Sequence, residues 1–380
     1  MHDWTGAFDQ AIDVQPPVTA GQLEALPGRR GVVLLATAEG RPVTMVTAAD
    51  MKSRARHRLA EKPDPAESRA PDLAAVTSRV WFSRTYSPFE SDLLFLRLAP
   101  DVWPGHWGQA VTARPPWFVQ LQAERDYPTL NRTRRPLAGE APAVGPFVSG
   151  ASAERFVRAV QDGFDLCREE AHLAAAPRAP RCTYGQMRRC LCPCDGTVSP
   201  TEYRQAVLEA WDFAAGRRAG LLEGLESQMK QRAAEQAFEA AAGIKNRLQR
   251  LGELEAGEFG WLAPAEGFAF LSVQRGARKG RVRLFAVCGQ RVAGPVETAK
   301  PYDPQAVREA LDELAARLGG AATGRRHGPY LMGLVTRYLF AQAGPKRGVW
   351  MRASPALPAE RVIHRLAAAA EDLRAGERPG

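Results

Sequence analysis

No apolar run in this 380-residue sequence approaches the roughly 20 residues that a membrane-spanning helix needs. The opening residues Met1-His2-Asp3-Trp4-Thr5-Gly6 carry no basic stretch followed by an apolar core, which predicts no signal peptide, no membrane partner and a cytoplasmic protein. Cysteine is scarce: there are six, and five of them fall between Cys167 and Cys194. In a reducing compartment such a cluster points to metal rather than disulfides. Acidic residues are also short, 42 against 51 Lys and Arg, a net charge of +9. That excess makes nucleic acid a partner to test through phosphate contacts, although arginine-rich composition also arises from coding bias. With 45% hydrophobic and 24% charged residues, wholesale disorder is excluded, and the length suits about two or three domains.

Local patterns organise the chain. Residues 1–25 contain Pro16-Pro17 and no clear period, and read as an irregular lead-in. From Gly31 a buried strand is followed by the turn Ala38-Glu39-Gly40-Arg41 and a second, antiparallel strand over Pro42–Thr47. A basic helix is expected over Ala49–Ala60, then a loop over Lys62–Pro71. Ser78–Tyr86 alternates like a strand, Phe89–Leu98 has helical spacing, and Trp117–Gln122 reads as a strand. The Pro/Ala/Gly-rich stretch Pro136–Pro146 reads as a boundary. A helix over Ala153–Leu166 leads into the cysteine-rich segment, and a long helical region opens at Pro200-Thr201-Glu202-Tyr203. Strands are expected at Phe268–Val273 and Val282–Val287. Helices are expected at Pro304–Leu318, stopped by Gly319-Gly320, and at Leu331–Phe340 and Ala359–Arg374.

Leu221, Leu222, Leu225 and Met229 form one apolar helical stripe, and Ala241, Ile244, Leu248 and Leu251 form a short coiled-coil-like seam. Two such helices pack antiparallel, either on their own domain or with small residues at 240–243 admitting a partner. The residues Met229, Ala233, Phe238, Glu239, Ala241, Ala242, Ile244, Lys245 and Leu248 resemble the UVR motif, a helical hairpin through which excinuclease components dock. Lys245 and Asn246 stand where that motif has Arg and Asp. With the segments before it, the chain resembles the UvrC family of the bacterial UvrABC excinuclease over roughly Leu26–Glu255. The resemblance implies docking to UvrB of that excinuclease or to another UVR-bearing protein.

Cys182, Cys190, Cys192 and Cys194 form a C-x7-C-x-C-x-C run, with Cys167 fifteen residues upstream. Short spacings let thiolates converge on a metal. The segment Arg181–Gly196 is similar to the family's cysteine region, which implies a [4Fe–4S] cluster on Cys182, Cys190 and Cys194. Cys167 or the extra Cys192 supplies the fourth ligand. Zinc is the alternative, and reduced cysteines packed as small hydrophobes the bland reading. Cys288, alone in a strand, is expected in the core.

The unit around Gly31-Val32-Val33 and Met45-Val46-Thr47 resembles the GIY-YIG endonuclease domain, whose chemistry needs tyrosine, lysine, arginine and a metal-binding glutamate. Matched residue by residue, those positions hold Val33 and Met45 for the tyrosines, Ala48 for the lysine and Phe95 for the glutamate. Only the arginine persists, as Arg54. Valine cannot take a proton and phenylalanine cannot bind magnesium, so the resemblance implies a fold without its nuclease chemistry. Asp92 lies one turn away as a substitute carboxylate, but helical geometry is expected to point it elsewhere. Lys52, Arg54, Arg56 and Arg58 form one basic face and Arg132, Arg134 and Arg135 a second, as solvated charge or as DNA contacts.

These readings give an α/β multidomain protein. A lead-in over 1–25 precedes a small GIY-YIG-like mixed α/β domain over 26–110, then strand and linker over 111–150. A cysteine-rich helical metal region over 151–202 and a helical region with the UVR motif over 203–255 follow. A small α+β C-terminal domain of unassigned role, 256–380, ends the chain. There the second nuclease of the family is not recognisable, and His327 is the one tempting residue. The expected role is repair-related docking without incision. The rivals are a divergent endonuclease built around Arg54 with a divalent metal, and a metal- or redox-sensing scaffold outside repair.

Overall fold

The computed structural model describes residues 4–60, 72–136, 141–254, 257–299, 304–320, 327–342, 347–353, 362 and 364. The chain divides into two units. One joins residues 1–114 to 269–380 and the other spans Pro115–Phe268. The described residues form a mixed α/β structure with three four-stranded antiparallel sheets, and none of their helices is long and apolar enough to cross a membrane.

In the first unit, strand Gly31–Ala36 lies between Arg79–Arg84 and Pro42–Ala48. All six of its residues are buried, so both faces of the sheet are covered. Gly31 is required by space: a Cβ there would lie 2.2 Å from Met51 Sδ and from the Ser83 carbonyl. One face packs Val33, Leu35 and Phe82 against Met51, Ala55 and Leu59 of helix Met51–Ala60. Helix Pro88–Val102 begins where Ser87 Oγ accepts the Glu90 N–H, a side-chain cap that satisfies an otherwise orphan donor. The segment read as an irregular lead-in contributes a short edge strand, Gln10–Asp13, paired with Arg79–Phe82, and Trp4 and Phe8 pack on Trp81. Four residues on an edge leave too little alternation to be read from sequence.

The remaining sheet of this unit has the order Arg291–Ala299, Arg281–Cys288, Ala269–Arg275, Val349–Arg352. Helix Pro304–Gly320 packs on it through Val307, Ala310 and Leu314. That helix continues through Gly319-Gly320 instead of stopping before them. Phe89 meets Phe285, Tyr338 and Trp350 edge-on, with ring centroids 5.3, 5.4 and 5.0 Å away, a favoured aromatic arrangement. Cys288 is not in the core. It ends its strand beside the turn at Gly289 and is exposed. The expected loop at 62–71 lies outside the described residues, as does the expected helix at 359–374 apart from Val362 and His364.

The second unit carries the sheet Thr129–Thr133, Trp117–Gln122, Ala143–Phe147, Ala263–Pro264. Ala143–Phe147 is buried at every position, although the Pro- and Gly-containing stretch read as a boundary. Its proline falls where the register with Trp117–Val119 shifts, an irregularity at which the missing N–H is tolerated. Helix Gly150–Gly163 is capped by Ser149. Helix Pro200–Ala214 opens on a full capping box of Ser199 and Glu202, ahead of the Thr201 signal in the sequence. Helices Ala219–Ala234 and Phe238–Gly252 form a hairpin. Its second helix leans on Gly163, where an added Cβ would lie 2.7 Å from Leu251 Cδ2. Leu251 is fully buried, so Leu251→Ala is expected to cost about 2–5 kcal/mol. Denaturant unfolding of the two proteins measures this, and a change within error would show that the hairpin is not anchored there.

Candidate functional site

The hairpin has an anchored root and an open tip. Leu225, Leu251 and Leu254 belong to the core of the second unit, and Leu221, Leu222, Ile244 and Leu248 pack against that core half-buried. Arg247 donates to the Gly163 carbonyl at 2.9 Å and lies over the Phe164 ring. Ile244 and Leu248, named above for a partner, are therefore turned inward. At the other end Ala233, Glu239, Ala242 and Lys245 are exposed, Met229 and Ala241 are half-exposed, and Phe238 is 67% exposed. Phe238 is the most exposed large apolar side chain among the described residues. Gln236, at φ +59, turns the chain between the two helices.

The cysteines gather beside the helix Gly150–Gly163. Cys167, Cys190, Cys192 and Cys194 are buried, Cys182 is half-buried, and none is in a disulfide. Cys190 beside Cys167 lowers the Cys167 pKa, while Cys167 and burial push Cys190 up, and the Cys167 thiol donates to the Glu169 carbonyl at 3.6 Å. Cys190 Sγ also accepts the Cys192 N–H at 3.4 Å. Cys192 Sγ instead donates to the Cys190 carbonyl at 3.3 Å and faces Gly185, whose added Cβ would lie 2.7 Å away. Burial raises both Cys192 and Cys194. Among the described residues, no three Cys, His, Asp or Glu groups are arranged to hold one metal ion. Arg181 ties the segment together, donating to Asp195 and Thr197 at 2.7 Å.

The basic residues lie on both units. Lys52 and Arg56 of helix Met51–Ala60 pair with Glu24, Arg54 is exposed, and Arg58 is half-buried. Arg132 pairs with Glu154 at 3.2 Å. Arg134 stacks over Trp117 at 4.5 Å from the ring centroid, and the Arg135 N–H donates to Thr133. The Trp117 platform had no signal of its own in the sequence beyond being a tryptophan at a strand start.

The positions matched to the nuclease site are divided. Val33 and Ala48 are buried in the core against helix Met51–Ala60, and Met45 is buried opposite Leu34. Phe95 lies elsewhere, lining a small cleft of about 70 Å³ with Thr47, Asp92, Leu334 and Arg337. Asp92 is already engaged: Arg337 ion-pairs with it and the Tyr338 hydroxyl donates to it at 2.7 Å. Arg337 and Tyr338 belong to helix Gly328–Leu339, so this pair was invisible from local sequence. His327 precedes that helix, where burial lowers its pKa.

Comparison with known proteins decides the relationship. Residues 117–213 match the family described as UvrC/Cho excinuclease, middle domain, and residues 219–254 match the UvrB/uvrC motif. The chain belongs to the UvrC family. It is 27% identical over 278 residues to UvrABC system protein C of Desulforudis audaxviator, covering 72% of this chain and 44% of the relative. The same protein of Syntrophus aciditrophicus is 28% identical over 61% of this chain and 37% of its own. That of Halobacterium salinarum is 30% identical over 56% and 35%. The chain thus spans less than half the length of these UvrC relatives. No solved structure matches significantly.

Just past the matched motif, Glu258 ties the turn Gly257–Phe259 to helix Gly150–Gly163 of the matched middle domain. It accepts two bonds from Arg155, at 2.9 and 2.7 Å, and one from Ser152 at 2.7 Å. The Arg155 hydrogen bond, ahead of burial, which opposes it, holds the Glu258 carboxyl below its ordinary range. A carboxylate with a depressed folded pKa stabilises above its unfolded pKa and loses that contribution as pH falls through the folded value. Wild type is therefore expected to lose more stability than Glu258→Gln as pH drops through the acidic end of the glutamate range. Thermal melts of both proteins across that range check this, and parallel curves would contradict it.

Proposed function

We propose that this protein is a repair-related docking protein: it binds UvrB, or another UVR-bearing protein, through the hairpin tip, and has lost nuclease chemistry. The single observation that carries the reading is the exposure of Phe238 within a matched UVR motif. Met229, Ala233, Phe238, Glu239 and Ala242 form the partner surface, with Lys245 at its margin. The small residues let a partner helix approach, and the aromatic supplies the buried anchor that dominates such interfaces.

The first unit is a GIY-YIG-like scaffold. Its order over 31–102 of two strands, helix Met51–Ala60, the one-turn helix Leu73–Val76, a third strand and helix Pro88–Val102, with Gly31–Ala36 between its two neighbours, supports that reading. Loss of incision is supported by the apolar residues at Val33, Met45, Ala48 and Phe95. Asp92 gives no support to the endonuclease alternative, because Arg337 already neutralises it. A cation from the chain's own helix takes the place that a divalent metal would need beside that carboxylate.

The cofactor proposed for the cysteine segment is a [4Fe–4S] cluster held by Cys167, Cys182, Cys190 and Cys194. Five cysteines outside any disulfide on one short segment, four of them buried and Cys182 half-buried, are the donor chemistry that iron–sulfur clusters use. The Cys167–Cys190 contact favours Cys167 over Cys192 as fourth ligand. When bound, the cluster would brace the loop between helix Gly150–Gly163 and helix Pro200–Ala214. Arg132, Arg134 and Trp117 form a basic and aromatic patch suited to a DNA strand, with Lys52, Arg54, Arg56 and Arg58 as a weaker second contact, part of it neutralised by Glu24.

Docking is tested by titrating labelled UvrB with the full chain. Saturable binding supports the proposal; no binding at tens of micromolar, roughly the weak end of transient interfaces, contradicts it.

A further inference from the structure

Helix Pro88–Val102 presents two opposed faces. At 3.6 residues per turn, Asp92, Phe95 and Leu96 point to one side, into the small cleft closed by Arg337. Glu90, Leu94 and Arg97 point to the other, into a cleft of about 410 Å³. The far wall of this second cleft is built by Arg283, Phe285 and Pro295, which lie beyond the stretches 117–213 and 219–254 matched by the family models. The volume lies in the range of about 300–1,000 Å³ typical of small-ligand sites.

Its lining is charged in an ordered way. Arg84 and Arg283 flank the Tyr86 ring at 5.8 and 4.8 Å from the centroid. Glu90 is buried, accepts the Tyr86 N–H at 2.8 Å and pairs with Arg283 at 3.2 Å, so that guanidinium is held in a fixed orientation. Arg97 donates to the Val292 carbonyl at 3.3 Å, and among the described residues no carboxylate forms an ion pair with it. Burial lowers its pKa, with Glu90 acting in the opposite sense. A desolvated guanidinium whose acceptor is neutral attracts an anion strongly. Asp9 closes the rim, accepting the Arg84 N–H at 3.2 Å.

We propose that this cleft binds a phosphate ester of nucleotide size. Arg97 and Arg84 take the phosphate oxygens, and Asp9 accepts from sugar hydroxyls or a base amino group. Planar guanidinium forks match phosphate geometry, while the two carboxylates, Asp9 and Glu90, disfavour a polyphosphate and select an ester that also carries hydrogen-bond donors. The phosphate could come from a free nucleotide or from the phosphorylated end of a nucleic acid strand. The inference is independent of partner docking.

The test is calorimetric titration of the full chain with adenosine monophosphate, inorganic phosphate and a 5′-phosphorylated oligonucleotide, on wild type, Arg84→Ala and Arg97→Lys. Arg84 is exposed, so its variant is expected to keep the wild-type melting temperature. Binding of at least one probe, weakened at least tenfold in Arg84→Ala, supports the site. Adenosine monophosphate binding without the oligonucleotide assigns a free nucleotide, and the reverse assigns a strand end. No heat with any probe, or affinity unchanged in both variants, overturns it.

Discussion

If the proposed cluster is bound, replacing Cys190 and Cys194 together with serine is expected to lower iron in the purified protein from about four atoms per chain to a trace. Serine keeps the size of each side chain but removes the soft thiolate donor that iron requires. Both residues are buried beside other thiols, so no water-exposed side chain is placed to substitute. Two finer outcomes separate the ligand assignments. Cys167→Ser should lower iron nearly as much, because Cys167 and Cys190 already face each other. Cys192→Ser should leave iron in place, because that thiol is directed to the Cys190 carbonyl. Cys288→Ser, at an exposed strand end in the other unit, should change nothing. Metal analysis of protein purified without oxygen reads all four. Zinc in place of iron, or iron unchanged in the double variant, would contradict the assignment.

The second large effect is expected from Phe238→Asp, which should weaken binding to UvrB by at least thirtyfold, corresponding to the roughly 2 kcal/mol loss of an interface hot spot. Phe238 is the most exposed large hydrophobic side chain among the described residues. Placing a carboxylate there puts an unpaired charge into the desolvated centre of an interface. The same change touches no core, so the melting temperature should stay where it is. That combination separates docking from folding: Leu251→Ala should lower stability, and Phe238→Asp only affinity. Fluorescence anisotropy with labelled UvrB measures the affinity, and retained tight binding would remove the hairpin tip from the interface.

The hairpin was the most legible part of the chain, because helical spacing at Leu221, Leu225, Met229, Ile244 and Leu248 is a local signal. What periodicity could not separate was the share of that stripe spent on the protein's own core. Ile244 and Leu248 pack inward because Gly163 lets Leu251 approach closely, a contact between residues 88 positions apart. The strand pair at 31–48 was legible from its apolar run and turn, whereas Gln10–Asp13 and Thr129–Thr133 are short edges with mixed polarity. At the charged clefts the limit was range. The partners of Asp92 and Glu90 are Arg337 and Arg283, brought up by a helix and a sheet from the far end of the chain. The cysteine spacing left a metal, and the choice between Cys167 and Cys192, as expectations, since spacing does not show which way each thiol points.

Strand incision tests the central claim most directly. A lesion-bearing duplex is incubated with UvrA, UvrB, magnesium or manganese, and either a competent UvrC, this protein, or both. The account predicts no nicked product with this protein as the sole UvrC-family member present. Added in excess, it should suppress the incision made by the competent UvrC, and Phe238→Asp should relieve that suppression. Nicking without the competent UvrC that disappears in Arg54→Ala would contradict the account and identify a working endonuclease.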